Sequence, residues 1–120
     1  MYYYNACRVP LRLGMHVLLN GNTASKNIVA KISSWAEQNH ISPLNIKAGY
    51  SLDGSTLPDS DFISTVFIAP FGVAAMNFPK QQSWLNNVYE TVYQNHQEYY
   101  EDTINLLSMM VMTGNFWAPQ

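Results

Sequence analysis

Phe62-Ile63-Ser64-Thr65-Val66-Phe67-Ile68-Ala69-Pro70-Phe71-Gly72-Val73-Ala74-Ala75-Met76 carries no charge, and its apolar residues fall on every side of a helix. The spacing predicts a helix over 62–76 with no face for water, and such a helix is buried all round. Pro70 must kink it or divide it, because proline lacks the backbone donor that the preceding turn expects. A second run has the same character. Over 100–113, Ile104, Leu106, Leu107, Met109, Met110, Val111 and Met112 lie on all sides of a predicted helix that stops at Gly114.

Working outward, the neighbouring helices read differently. Over 23–38, Ile28, Val29, Ile32, Trp35 and Ala36 make one stripe, with Lys26, Lys31 and Glu37 on the wet face. Over 80–95, Trp84, Leu85, Val88, Tyr89, Val92 and Tyr93 make another. The first predicted helix, 7–19, is mixed: Arg8, Arg12 and His16 lie four apart on an otherwise apolar surface, and Asn20-Gly21 ends it. The order is thus mixed, one-sided, enclosed, one-sided, enclosed. Two concentric helix layers give that alternation, whereas a simple up-and-down bundle gives every helix one wet face. The expected fold class is all-α, about five helices of a larger two-layer array. A long loop over 39–61 is expected to form a small hairpin at Asp53-Gly54.

Composition points the same way. Apolar residues make up 48% of the 120 residues, but charged residues only 12%, about half the usual share. Faces that would normally carry charge are expected to meet more protein, as in one portion of a larger domain. A net charge of −2 with six scattered Lys and Arg residues gives no basic patch for nucleic acid. Cys7, the single cysteine, excludes an internal disulfide. No apolar stretch approaches the roughly 20 residues that span a membrane. Met1-Tyr2-Tyr3-Tyr4-Asn5 does not have the pattern of an export signal. His16, His40 and His96 have no ligand spacing, so neither a metal nor another cofactor is expected. Asp53, Asp59 and Asp61 read as turn and helix-cap residues.

The segment richest in chemistry is Tyr4-Asn5-Ala6-Cys7-Arg8-Val9-Pro10-Leu11-Arg12, where loop becomes helix. Arg8 falls in the first turn, where the helix dipole disfavours a cation, so it needs an anionic or hydroxyl-rich partner or a structural ion pair. Asn5 is placed to cap the helix. Cys7 reads as a small buried residue.

This segment resembles the Tyr-Asp-(Ala/Ser)-x-Arg-x-Pro signature of glycoside hydrolase family 8. The resemblance continues through Ala48-Gly49-Tyr50-Ser51-Leu52, Ala69-Pro70-Phe71-Gly72-Val73-Ala74-Ala75-Met76 and Tyr99-Tyr100-Glu101-Asp102, then Leu106-Leu107-Ser108 and Thr113-Gly114-Asn115-Phe116-Trp117. It implies the C-terminal portion, over 1–120, of an (α/α)6 barrel in a secreted enzyme that cleaves β-1,4-linked polysaccharide with inversion. The substrate would be cellulose-like glucan, mixed-linkage glucan or chitosan. Inverting chemistry needs two carboxyl groups about 6.5–9.5 Å apart, one an acid and one a base that activates water. The resemblance puts the family's acid in a missing N-terminal part of the barrel, and its general base, an aspartate in one branch, at Asn5. An amide cannot accept that proton. Either a glutamate on a preceding loop replaces it, as in chitosanase-like members, or the site has decayed. Tyr4, Arg8, Tyr99 and Tyr100 are the expected sugar contacts, since a pyranose offers an apolar face to an aromatic ring and hydroxyls to a guanidinium fork. The competing expectation is a non-catalytic helical module that binds carbohydrate or another protein.

Overall fold

Pro70 divides the long apolar run. In a computed structural model, described over residues 1–117, a 3₁₀ turn at Thr65–Phe67 precedes a short helix, α3 (Ala69–Ala75), with Pro70 in its first turn. There the missing N–H is no loss, because the first helical turn has no internal acceptor for it. The enclosed stretch is therefore shorter than 62–76, and Phe62 and Ile63 lie half-exposed ahead of it. Every residue of α3 is buried.

Four further helices pack on or beside this one: α1 (Val9–Asn20), α2 (Thr23–Asn39), α4 (Gln82–Gln94) and α5 (Tyr99–Met112). Among the described residues the class is all-α, as the periodicity predicts, with only isolated β-bridges besides the helices. α3 lies against α1, α2, α4 and α5 together, so the segments 62–76 and 100–113 are neighbours. Gly14 of α1 lets two helices approach closely: a Cβ there would sit 3.1 Å from Val73 Cγ1 and 3.2 Å from the Ala74 backbone nitrogen.

α2 and α4 are one-sided, and a buried amide locks α2 to the turn before α4. Ser33 donates to Gln81 Oε1 (2.6 Å), while Gln81 Nε2 donates to Ser33 O (3.2 Å) and to Glu37 Oε1 (3.1 Å). On α4, Tyr93 departs from the predicted core stripe. It is exposed and stacks on Tyr89 with ring centroids 6.3 Å apart.

The expectation for α5 is overturned. It is not enclosed: Ile104 and Val111 are buried and Met109 and Met112 pack on the core, but another side of the helix is left open. Asn105 and Ser108 are buried at 3% and 0% exposure, whereas Leu106, Leu107 and Met110 stand 57%, 47% and 43% exposed. The physical reason is local. Asn105 faces the Thr65–Phe67 turn and donates to Thr65 Oγ1 at 2.7 Å, which turns the opposite, apolar face outward.

The connection between α2 and α3 does form a small hairpin. Tyr50 bridges Thr56 across a turn in which Gly54 has φ 89°, a conformation glycine adopts without steric cost. Tyr50 also exchanges two backbone hydrogen bonds with Tyr2 (2.7 and 2.8 Å), and so ties the N-terminal segment to the hairpin just before α1. A half-buried relay fixes the hairpin to α2. The Lys47 N–H donates to the Tyr50 hydroxyl (2.7 Å), which donates to His40 Nε2 (3.0 Å), and His40 Nδ1–H donates to Ala36 O (2.7 Å).

Replacing Gly14 with valine forces α1 off α3 at a backbone contact that has no slack. The substitution is expected to lower unfolding free energy by about 1–3 kcal/mol, measured by denaturant unfolding.

Candidate functional site

Tyr3 to Arg8 form a tight succession of turns ahead of α1. The Cys7 N–H donates to Tyr3 O (2.9 Å), and the Cys7 thiol donates to Tyr4 O (3.0 Å) from a fully buried position. α1 begins at Val9, later than the sequence predicts, and the residue flanking its start is Arg8 rather than Asn5. Asn5 is exposed in the middle of the turns. The capping expectation for Asn5 is therefore wrong. The chain is still turning through Tyr4–Arg8 when the helix begins, which leaves Asn5 too far ahead to meet its first amides.

Tyr4 packs edge-on against Phe67 of the turn before α3, with ring centroids 5.2 Å apart. Its phenol lies beside the Ser64 hydroxyl and the Glu101 carboxylate. Burial pushes the Tyr4 pKa up; the Ser64 hydroxyl opposes the rise, and the charge of Glu101 adds to it. The Tyr100 phenol lies beside Cys7, Arg8 and Glu101; burial raises its pKa too, the neighbouring thiol adding to the rise and the Arg8 guanidinium opposing it. Burial likewise raises the Cys7 thiol, with Tyr100 and Arg8 pulling it back. Tyr4, Arg8 and Tyr100 thus converge where the start of α1 meets the start of α5. Tyr99 does not join them: it stands 88% exposed on the first turn of α5.

Two polar groups in this cluster were not among the expected site residues. Ser64 Oγ and Glu101 Oε2 are both buried and lack a partner in hydrogen-bonding geometry. Such atoms carry a desolvation cost of about 1–3 kcal/mol each unless something satisfies them. Neither stands out in the sequence, because Ser64 sits inside an apolar run and Glu101 reads as an ordinary first-turn acid favoured by the helix dipole.

A second network positions this cluster. Gln97 Oε1 accepts from the Thr65 N–H and the Thr65 hydroxyl, both at 2.9 Å, while Asn105 Nδ2 donates to Thr65 Oγ1. Gln97 N–H in turn donates to Asp102 Oδ1 at 2.8 Å. Thr65 is therefore held by Gln97 ahead of α5 and by Asn105 within it, next to Ser64, which with Glu101 lies beside the Tyr4 phenol.

The remaining candidates fall elsewhere. Asp53 lies in the hairpin turn, where it accepts from the hydroxyls of Ser51 and Ser55 and from the Ser55 N–H (2.9 Å). These bonds hold its carboxyl down at about 2, the Ser51 hydroxyl having the largest effect. Asp59 occupies a turn with φ 63°, and Asp61 pairs with Lys47 at 2.9 Å. Among the described residues no three His, Cys, Asp or Glu side chains gather as a metal site would need, and no helix is long and apolar enough to cross a membrane.

Two concavities flank the cluster. One, of about 320 Å³, runs between α1 and α5 with Arg8 at one end and Phe116 at the other. The second, of about 420 Å³, lies between α2 and the hairpin and is lined by Tyr2, Trp35, Tyr50 and Phe71 among others.

An all-α chain with aromatic and guanidinium groups gathered at one end of its helices can be set beside known proteins. No protein-family model matches the chain. Its sequence is nevertheless similar to one portion of glucan-hydrolysing enzymes. It is 40% identical over 119 residues to a beta-glucanase of Niallia circulans, a match covering 98% of this chain and 29% of that protein. It is 36% identical over 119 residues to an endoglucanase of Bacillus sp. strain KSM-330, covering 98% and 25%. Among solved structures, the apo beta-1,3-1,4-glucanase of Paenibacillus sp. X4 superposes with a TM-score of 0.93 at 39% identity, over 98% of this chain and 31% of that one. The chain spans about a quarter to a third of the length of these relatives.

Two outcomes are expected from this geometry. Ser51→Ala should raise the Asp53 pKa from about 2 toward the ordinary 3.8, read by NMR titration of the side-chain carboxyl. Because the folded value is depressed, the hairpin's share of stability is present above the ordinary carboxylate range and lost as pH falls toward 2. Gln97→Ala leaves the buried Thr65 N–H without its acceptor. It should cost about 1–3 kcal/mol in denaturant unfolding and speed exchange of that amide hydrogen.

Proposed function

We propose that the chain is the C-terminal part of the catalytic domain of a family 8 glycoside hydrolase, an (α/α)6 barrel that cleaves β-1,4-linked glucan with inversion. The observation that carries this reading is the convergence of Tyr4, Arg8 and Tyr100 at one end of α1 and α5. Similarity to a beta-glucanase and an endoglucanase supports a glucan as the polymer contacted. Tyr4 and Tyr100 offer ring surface to a pyranose, and Arg8 offers a planar fork of donors to its hydroxyls. Tyr99 stays outside this cluster, exposed on the first turn of α5.

The chain holds no complete acid–base pair. Inversion needs an acid and a base flanking the scissile bond. Glu101 is the carboxylate beside Tyr4 and Tyr100, while Asn5, at the family's base position, is an amide. Asn5 can orient a water or a sugar hydroxyl, but it does not take a proton at neutral pH. On this reading the proton-transfer groups come from the remainder of a secreted polypeptide of which this chain is one part.

The test has two arms. Purified chain incubated with mixed-linkage β-glucan and with chitosan should release no reducing sugar above a protein-free control. Turnover would show that the chain holds its own acid–base pair and would sink the partial-site reading. In native gels cast with β-glucan the chain should be retarded, and Arg8→Ala should lose about tenfold in apparent affinity, one charged hydrogen bond's worth. Its melting temperature should stay close to that of the unaltered chain. If Arg8→Ala instead mainly unfolds the protein, Arg8 is a structural residue and the sugar-contact assignment fails.

A further inference from the structure

We infer that Ser64 and Glu101 are positioning residues for the Tyr4 phenol. When a sugar lies on the ring, the Ser64 hydroxyl donates to the phenol oxygen and the phenol donates to the Glu101 carboxylate. This rests on the reading of Tyr4 as a sugar contact and adds how its hydroxyl is aimed.

The first observation is a pair of orphaned atoms. Ser64 Oγ and Glu101 Oε2 are buried without a partner in hydrogen-bonding geometry, and both residues lie beside the Tyr4 phenol. An ionised carboxylate only accepts, whereas a hydroxyl and a phenol each donate and accept. Tyr4 therefore has the chemistry to satisfy the two together, its oxygen taking the Ser64 hydrogen bond while its own O–H serves Glu101. Hydrogen bonds at such sites are often long before a ligand arrives and tighten in the complex.

The second observation is how α5 is held. Asn105 follows Glu101 by one helical turn on the same face and donates to Thr65 Oγ1 at 2.7 Å. Gln97, ahead of the helix, accepts from the Thr65 N–H and hydroxyl. These bonds fix the start of α5 against the segment that carries Ser64. The two acids of the first turn are then used differently. Asp102 Oδ1 accepts from the Gln97 N–H at 2.8 Å, a capping role that the helix dipole favours. Glu101 Oε2 is instead shielded from water, where a dipole-favoured surface acid would keep both oxygens wet.

The third observation is that Tyr4 is fixed everywhere except at its hydroxyl. Its carbonyl accepts from the Cys7 thiol at 3.0 Å, and its ring packs edge-on against Phe67 and Tyr3, with centroids 5.2 and 5.0 Å away. What remains to be set is the direction of the O–H. With that hydrogen committed to Glu101 and one lone pair to Ser64, the phenol meets a pyranose as an acceptor and takes a hydrogen bond from a sugar hydroxyl. The groups around it agree in sign. Burial raises the Tyr4 pKa most; the Ser64 hydroxyl lowers it, as a donor does, and Tyr3, Glu101 and Cys7 raise it.

The experiment has two arms. In native gels cast with mixed-linkage β-glucan, Tyr4→Phe and Glu101→Gln should each weaken apparent affinity about tenfold, the worth of one hydrogen bond to a charged group. The double variant should be no weaker than either single one, because residues that act through one contact are not additive. Multiplied losses would mean that Glu101 meets the sugar by itself, and unchanged affinity in Glu101→Gln would mean that it positions nothing; either overturns the proposal. The second arm needs no glucan. NMR of carbon-labelled tyrosine follows titration of the Tyr4 phenol, assigned by its loss in Tyr4→Phe. Glu101→Gln should move the midpoint down and Ser64→Ala should move it up. Tyr50, bonded to Lys47 and His40 in the hairpin relay, should stay where it is. Shifts of the same sign, or a fall in melting temperature with no movement of the midpoint, mark a merely structural role and overturn the proposal. If the unaltered chain is not retarded by β-glucan, the sugar-contact reading fails, and the titration alone decides whether Ser64 and Glu101 position the phenol.

Discussion

Everything in this structure is arranged around the absence of a wet face on α3. Seven residues, Ala69 to Ala75, are buried on every side, and a helix so composed cannot exist at the margin of a domain. It has to be surrounded, and its small residues decide how closely. Gly14 brings α1 against its backbone, and α4 and α5 close the other sides. Moving any of these helices would expose apolar surface worth about 25 cal/mol for each Å². The site inherits its geometry from this constraint: Tyr4 is fixed by Phe67 at the threshold of α3, and Tyr100 by the start of α5 alongside it.

The polar attachments work within that frame and explain why α5 is oriented as it is. Thr65 needs an acceptor for its buried N–H and a partner for its hydroxyl, and Gln97 and Asn105 provide them. Once Asn105 faces inward to do so, helical geometry carries Leu106, Leu107 and Met110 outward. Burying those three apolar side chains against α3 would forgo the hydrogen bonds, and polar groups left buried without partners would offset the benefit of the apolar packing. Ile104 and Val111 are buried on the same helix, so α5 joins the core through a mixed polar and apolar face.

How much of this is legible in the sequence depends on the range of the interaction. The five helices and the enclosed character of 69–75 follow from local periodicity, and the hairpin from Asp53-Gly54. The start of α3 differs from the predicted one because Pro70 fits a first turn as readily as it breaks a helix, and the periodicity of Phe62 and Ile63 continues past it. The mixed inner face of α5 is signalled by Asn105 and Ser108 at i, i+3 inside an apolar run, but the abundance of leucine and methionine outweighs them. At the site, the gathering of Tyr4, Arg8 and Tyr100 is accessible through resemblance alone. Their supporting groups are not, since the Tyr2–Tyr50 pairing and the Thr65–Gln97 bonds join residues far apart in the chain. Asn5 shows the limit of local capping logic: it has the right residue type, but the intervening turns displace it from the helix.

That displacement bears on the chemistry. A capping amide would be consumed by backbone donors, whereas Asn5, exposed on the turn beside Tyr4 and before Arg8, keeps its side chain available. An amide that is free but cannot take a proton suits an orienting role better than proton transfer. Glu101 is held in the opposite state. One of its oxygens is buried without a partner among phenols whose pKa values are raised. A lone buried carboxylate oxygen is a liability unless donors arrive from elsewhere, because desolvation penalises a charge more than any neutral group. Arg8 and Arg12, without an ion pair among the described residues, line the groove between α1 and α5, and Glu101 lies beside the Tyr4 and Tyr100 phenols. A polyhydroxylated ligand would offer donors to such a carboxylate and acceptors to such guanidinium groups, which a purely apolar partner could not.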